Sequence, residues 1–146
     1  MPETLKVEGK MNVHIISPTK SVLDDVADKV LLPTPNGNIM ILKDRAPLFT
    51  ATSAGIMWVY NKGEKPVAYF ISGGIAEIRR NICSVLAWGV KADEINKERL
   101  HSWRLNLEGE LPKIHSEMQK KQTIERIGFL KMLENRPSLL VPPDFE

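Results

Sequence analysis

The chain is short of everything that would give its chemistry away. One cysteine, Cys83, among 146 residues excludes an internal disulfide framework and an all-cysteine metal cage. The longest unbroken apolar runs are four or five residues, against the roughly 20 that a spanning helix needs. Neither sign of charge dominates. Twenty Lys and Arg stand against eighteen Asp and Glu, and a net charge of +2 gives no electrostatic argument for nucleic acid or an anionic lipid surface. The opening Met1-Pro2-Glu3-Thr4-Leu5-Lys6 carries an acid and no apolar stretch of the kind a secretory signal uses, so none is expected. What is present, 42% apolar and 26% charged residues, suffices for one packed domain with an appendage and argues against wholesale disorder. A soluble protein with a modest core is the expectation.

Residue order divides the chain in a way that composition hides. Residues 1–90 hold ten basic and eight acidic residues, and the shorter stretch 91–146 holds ten of each. From Met11 to Trp88, short runs of strand-forming residues alternate with turn chemistry at intervals of about 8–12 positions. The runs are Val13–Ser17, Lys29–Leu32, Asn38–Leu42, Leu48–Thr52, Ile56–Tyr60, Val67–Ser72, Ile75–Arg79 and Ile82–Trp88. Ser17-Pro18, Pro35-Asn36-Gly37, Asn61-Lys62-Gly63 and Arg80-Asn81 separate them. Many short strands without intervening helices predict an antiparallel β-sandwich. Asn36-Gly37 between two apolar runs is the strongest hairpin signal and predicts a type I′ turn.

After Val90 the period changes. Asp93 is the expected helix cap, with Asn96 where a complete capping box has Glu or Gln. Leu100, Trp103, Leu107 and Leu111 then form one helical stripe. Gly109 is the expected stop, and Pro112 the first turn of a second helix over about Lys113–Asn135. Ile114, Met118, Ile124, Ile127, Leu130 and Leu133 would be that helix's apolar side. The fold class predicted is α+β: a sandwich over 11–90, a two-helix hairpin over 91–136, and extensions at 1–10 and 137–146.

Candidates for chemistry are few. His14, His101 and His115 have no metal-ligand spacing; His14 reads as a half-buried edge residue and the other two as solvent-facing on helices. Cys83 reads as a buried structural thiol. Asp24, Asp25 and Asp28 form an acidic cluster whose simplest reading is a solvated turn. Gly73-Gly74 is a bulge or a close backbone crossing, not a phosphate loop. The mixed charges Glu94, Lys97, Glu98 and Arg99 suit a solvated helix face rather than a nucleic-acid stripe. No catalytic residue, metal ligand or cofactor site is expected, and the chain reads as no enzyme.

Several segments, taken in order, resemble one family, the epsilon subunits of F-type ATP synthases (delta in mitochondria). Met11-Asn12-Val13-His14-Ile15-Ile16-Ser17-Pro18-Thr19 resembles the family's opening strand and turn. Residues 30–42, from Val30-Leu31-Leu32-Pro33 to Ile41-Leu42, resemble its strand–hairpin–strand "LPxxxGxxGvL". Asp44-Arg45-Ala46-Pro47-Leu48-Phe49-Thr50-Ala51 follows "GHAPLLTA", with Asp44 and Arg45 in place of Gly and His. Gly55-Ile56-Met57, Ile71-Ser72-Gly73-Gly74-Ile75-Ala76-Glu77-Ile78 and Val85-Leu86-Ala87 resemble "PGxl", "vSGGfxev" and "VLA". Lys120-Lys121-Gln122-Thr123-Ile124-Glu125 is similar to a chloroplast second-helix motif.

The resemblance implies a non-catalytic rotor part of the central stalk, bound to the gamma subunit and the ring of c subunits. It would pass proton-driven rotation to the catalytic head, with no cofactor, no nucleic acid and no direct lipid insertion. Position by position it puts Asn36, Gly37, Asn38 and Arg45 at the ring-facing end. Bacterial members open the first helix with I/L-D-x-x-R-A, part of an ATP-sensing site. Ile95 and Arg99 keep that pattern, but Asn96 and Leu100 replace its Asp and Ala, which removes the anionic acceptor and a small residue. The hairpin would regulate ATP hydrolysis, its basic Lys113, Lys120, Lys121, Arg126 and Lys131 meeting acidic loops of the alpha and beta subunits. The implied location is peripheral on an energy-transducing membrane, the stromal face of a chloroplast thylakoid or else the cytoplasmic face of a bacterial plasma membrane. The alternative is a stand-alone sandwich module that binds proteins without a rotary partner.

Overall fold

The structure is a computed structural model that describes residues 9–135 and 141–143. Ten strands come first: β1 (Met11–Ile16), β2 (Ser21–Ala27), β3 (Lys29–Thr34), β4 (Gly37–Leu42), β5 (Leu48–Thr52), β6 (Gly55–Tyr60), β7 (Val67–Ile71), β8 (Gly74–Arg79), β9 (Ile82–Leu86) and β10 (Gly89–Lys91). A 3-10 turn at Ala92–Glu94 leads to helix α1 (Lys97–Glu110), a second 3-10 turn at Leu111–Lys113 and helix α2 (Glu117–Glu134). The chain forms two compact units, the sandwich through Ala92 together with Pro142 onward, and the helical unit Asp93–Val141.

The sandwich has two five-stranded sheets, ordered β2-β1-β9-β8-β5 and β10-β7-β6-β3-β4. Every pairing is antiparallel except β1 with β9, which run parallel from Asn12↔Ile82 to Ile16↔Leu86. Strands so far apart in sequence are joined by no hairpin, so nothing forces them antiparallel. Alternation builds the core: Met11, Val13 and Ile15 from β1, Ala76 and Ile78 from β8, and Cys83 and Val85 from β9 point inward with at most 2% exposure. Val30, Leu32, Ile41, Met57, Val59, Tyr69 and Ile71 answer from the second sheet. There, Leu31, Trp58, Ala68 and Phe70 occupy the alternate phase and are buried too. Two buried faces explain why β6 and β7 read as unbroken apolar runs.

Two strands escaped the sequence pattern, the short β10 (Gly89–Lys91) and β2. Residues 21–27, with Asp24 and Asp25, form the edge strand β2 and not a solvated turn. Its register sets Asp25 opposite the core residue Val13. An acid on the inward phase of an edge strand discourages a second sheet from pairing there. Asp24 faces the other way, opposite His14, and its Oδ1 lies 3.0 Å from His14 Nδ1. His14 is therefore buried, 5% exposed, on a strand flanked on both sides, where an edge position was expected.

Within the helical unit, Asn96 caps α1, its Oδ1 accepting from the backbone N–H of Glu98 and Arg99 at 3.0 and 3.2 Å. Asp93 sits in the preceding 3-10 turn and does not cap the helix. Gly109 lies inside α1, and Pro112 is the second residue of a short 3-10 turn rather than the start of α2, which begins after its own cap Ser116. Ile114 and His115 fall in the connector. Leu100 and Leu107 of α1 and Ile127, Leu130 and Leu133 of α2 are buried as the stripes predict, joined by Phe129. Trp103, Met118 and Ile124 are exposed at 40%, 72% and 56%, contrary to the predicted stripes. Of the sequence's tail, 136–140 and 144–146 lie outside the described residues.

The Gly73-Gly74 doublet is a close crossing. A Cβ on Gly74 would fall 2.1 Å from the Leu86 carbonyl oxygen and 2.9 Å from Ala87 Cβ, whereas one on Gly73 would meet nothing nearer than Thr52 O at 3.4 Å. Gly74→Ala is therefore expected to cost about 3 kcal/mol in urea unfolding and Gly73→Ala less than about 0.5.

Candidate interaction surface

Among the described residues no enzymatic constellation forms around the nucleophiles and bases. Cys83 is buried and desolvation pushes its thiol up to about 12, so the thiolate that chemistry would need is suppressed. Among the described residues no three His, Cys, Asp or Glu side chains gather to hold a metal, and no helix is long and apolar enough to cross a membrane. The surface itself carries the information.

Cross-strand register assembles one apolar row on the outer face of the first sheet. Ala51 pairs with Ile75, Ile75 with Leu86, and Leu86 with Ile16, so four side chains from four strands stand side by side. Directly opposed residues share a face, and these are the phase opposite to the core. Ile75 is 43% and Leu86 53% exposed. Phe49, two residues before Ala51 and so on the same face, is 69% exposed. Its neighbours in the next row, Glu77 and Ser84, are polar. An exposed apolar strip with a polar margin, on a rigid sheet, has the composition of surfaces that protein partners cover.

The ends of the sandwich carry the loop residues singled out in the sequence. At one end, β3 and β4 join through Pro35-Asn36. The turn is not type I′: that type needs positive φ at both central residues, which proline cannot adopt, and the positive φ of +106° falls on Gly37 instead. Thr34 fixes the geometry, its hydroxyl donating to the Gly37 carbonyl at 2.6 Å and accepting from the Asn36 N–H at 3.3 Å. Asn36, Gly37 and Asn38 are all exposed there. Arg45 does not join them. It follows β4, at the strand's far end, roughly 16–20 Å away at ~3.3 Å per residue. Arg45 Nη1 donates to the carbonyl of Ala46.

At that far end two loops are clasped together. Asp44 has φ +62°, and Arg80 and Asn81, joining β8 to β9, have φ +52° and +60°. Here, and not at Asn36-Gly37, lies the two-residue turn with both central φ values positive. Asn81 Oδ1 accepts from the Asp44 N–H at 2.7 Å, while its Nδ2 donates to Asp44 Oδ1 at 3.1 Å. This reciprocal pair offsets the left-handed backbone at Asp44, a conformation that costs roughly 1–2 kcal/mol for a residue with a Cβ.

The helical candidates lie apart from each other in role. Ile95 is half-buried ahead of α1, and Arg99 is exposed in its first turn. Between them Asn96 spends its side-chain oxygen on the helix cap. The sequence did not reveal the network that ties α1 to α2. Arg104 Nε donates to Glu134 Oε2 at 2.7 Å and its Nη1 to Glu108 Oε1 at 2.9 Å, with His101 Nδ1 3.2 Å from Glu134. The hydrogen bonds to Glu134 and then Glu108 raise the Arg104 pKa and keep it charged. Apart from the i,i+4 pair Arg104–Glu108, neither this network nor the apolar row has a local sequence signature, because both join residues distant along the chain.

Comparison with known proteins agrees with this architecture. The family described as the ATP synthase delta/epsilon chain, beta-sandwich domain, matches residues 10–92, which include every strand. The ATP synthase epsilon chain of Nostoc punctiforme is 35% identical over 114 residues, covering 77% of this chain and 83% of that one. The chloroplastic ATP synthase epsilon chain of Gracilaria tenuistipitata is 32% identical over 127 residues, covering 86% and 92%. A chain of the Euglena gracilis mitochondrial ATP synthase OSCP/F1/c-ring structure shares the fold with TM-score 0.60 and 18% identity, over 92% of this chain and 88% of that one. A chain of the Tetrahymena thermophila central stalk/c-ring structure does so with TM-score 0.53 and 14% identity, over 86% and 97%.

The clasp makes a direct prediction. Asp44→Ala loses the hydrogen bond from Asn81 Nδ2 and keeps the unfavourable backbone, whereas Asp44→Gly loses the same bond but relaxes the backbone; the bond from the residue's own N–H to Asn81 Oδ1 is open to both. Chemical denaturation should find the alanine variant less stable than the glycine variant by about 1 kcal/mol.

Proposed function

This chain belongs to the delta/epsilon chain family of ATP synthases, and on that premise we propose that it is a non-catalytic rotor subunit of the central stalk. It would link the gamma subunit to the ring of c subunits and couple ion flow to ATP synthesis. The observation that carries this reading is the family match over the whole sandwich, including the strands that present the apolar row Ile16, Ala51, Ile75 and Leu86. A rotor part transmits torque through a rigid body with a fixed docking face, and a doubly buried sheet beside a half-exposed one supplies both.

The gamma subunit is assigned to the apolar row and the c-ring to the Asn36-Gly37-Asn38 tip. Arg45 stands at the other end of β4 and is left out of that single contact. The hairpin is the regulatory part, with Lys113 and Lys121, both exposed, available to acidic loops of the catalytic subunits. Nucleotide binding through Ile95 and Arg99 forms no part of the proposal, because Asn96 is neutral and engaged as a cap. The location proposed is peripheral on an energy-transducing membrane, and in detail the stromal face of a chloroplast thylakoid, with the cytoplasmic face of a bacterial plasma membrane as the alternative; the similarity to a chloroplastic chain supports the former.

Two experiments test this. Leu86→Asp in the tagged chain should leave the sandwich folded by circular dichroism and weaken co-purification with gamma by about 30-fold, the effect of losing ~2 kcal/mol at an interface centre. A wild-type chain that elutes alone from intact membranes would instead favour a stand-alone binding module. Removing residues 93–146 should leave the complex assembled and raise its ATP hydrolysis several-fold in a coupled ATPase assay; an unchanged rate would remove the inhibitory role.

A further inference from the structure

The β3–β4 tip holds a reactive pair. Of the asparagines in the chain, Asn36 alone is followed by glycine. Asn36 and Gly37 are both exposed, and nothing lies within 4 Å of where a Gly37 Cβ would stand. Among the described residues the Asn36 carboxamide makes no hydrogen bond; only its backbone N–H is held, by the Thr34 hydroxyl. The carboxamide carbon is free to turn toward the backbone nitrogen of the next residue, and no side chain on that residue shields the nitrogen.

The other asparagines lack one or both features. Asn61 binds the Lys10 ammonium and the Val26 carbonyl, Asn81 is bonded to Asp44, and Asn96 caps α1. Lys62, Ile82 and Lys97 follow them. Asn38 is the sharpest comparison. It is exposed on the same tip, but it precedes Ile39, whose branched Cβ stands beside the nitrogen that would have to react.

We propose that Asn36 is a site of spontaneous deamidation, with water as the co-reactant, and that the Thr34 hydroxyl sets its rate. The Gly37 nitrogen gives up its proton and bonds to Asn36 Cγ. The Cγ–Nδ2 bond breaks and ammonia leaves with that proton, closing a succinimide ring. Water then opens the ring on either side of the Gly37 nitrogen. Cleavage from Cγ leaves aspartate; cleavage from the Asn36 backbone carbonyl carbon leaves isoaspartate, with an extra carbon in the main chain. One water is consumed and one ammonia released, and nothing is oxidised or reduced. Either product puts a carboxylate on the uncharged sequence Pro35-Asn36-Gly37-Asn38, and isoaspartate also breaks the spacing that sets Thr34 opposite Gly37. The Thr34 hydroxyl brackets the reacting atoms, bonded to the Asn36 N–H at 3.3 Å and the Gly37 carbonyl at 2.6 Å. It thereby resists the backbone rotation that brings the nitrogen to Cγ.

The reaction needs no partner, so its test stands apart from the rotor reading. The purified full chain, held in mildly alkaline buffer, is sampled over time by peptide mapping with fragmentation that separates isoaspartate from aspartate. Asn36 is expected to convert at least about tenfold faster than Asn38, Asn61 or Asn81, with isoaspartate among the products. Thr34→Val removes both hydroxyl bonds and should speed the conversion by about threefold. An Asn36 that keeps its carboxamide, or converts no faster than Asn38, would overturn the proposal, and so would aspartate formed with no isoaspartate. An unchanged or slower rate in Thr34→Val would remove the hydroxyl's part.

Discussion

The register of β8 against β9 is the constraint on which the rest of the sandwich depends. Gly74 lets the backbone pass within a Cβ's reach of the Leu86 carbonyl, and the left-handed pair Arg80-Asn81 closes the other end of the hairpin. Between these two fixed points Ala76, Ile78, Cys83 and Val85 point into the core. Ile75 and Leu86 consequently point out. A slip of one residue would exchange the two sets, emptying the core and burying the outer apolar row together. Stability and recognition here are two faces of one register, and β9 passes it on to β1 through the parallel pairing that begins at Asn12.

The two ends of the sandwich solve the problem of chain reversal with different chemistry. At the β3–β4 tip, proline fixes one φ, a threonine hydroxyl holds the next residues, and glycine takes the positive φ, so the turn carries no strain that another part must offset. At the far end, three residues with side chains take left-handed backbone, and two of them, Asp44 and Asn81, are bonded to each other. Asn81 also accepts from the Asn12 N–H through its carbonyl at 2.9 Å. The strained end is thus tied across two strand connections and the start of β1, while the tip stands as an exposed protrusion. A protrusion suits contact with a partner and a cross-braced end suits rigidity, which is the division a torque-transmitting body requires.

Sequence reading captured what local pattern encodes. Strand β5 appears with the bounds that its composition predicted, and β3, β4, β6, β7 and β8 differ by one or two residues at their ends. Cys83 as a buried thiol and Gly73-Gly74 as a crossing also follow from local context. Strand β2 was hidden because its acids break the apolar alternation, although one of them faces inward at an edge where such a charge is tolerated. The cap of α1 was displaced from Asp93 to Asn96 because either side chain can accept from a helix N-terminus, and only the chain path decides between them. The apolar row was illegible for a different reason. Ile16, Ala51, Ile75 and Leu86 become neighbours only through pairings between strands, and no window of sequence contains them.

The helical unit shows how an arm can be ordered without being rigid. Its buried apolar side chains are Leu100 and Leu107 of α1 and, in the second half of α2, Ile127, Phe129, Leu130 and Leu133. The Arg104 contacts with Glu134 and Glu108 lie in the same region, and Lys131 approaches Glu108 at 3.9 Å. Toward the connector, the first half of α2 exposes Met118 and Ile124 and carries Lys120, Lys121 and Glu125. Gly109, in the last turn of α1 with no atom near its missing side chain, weakens that end further by about 1 kcal/mol relative to alanine. Packing is therefore denser along the second half of α2 than along its first half. Such an arm can keep its two helices paired there while the first half of α2 re-forms contacts elsewhere, so a change of partner need not cost the hairpin its fold.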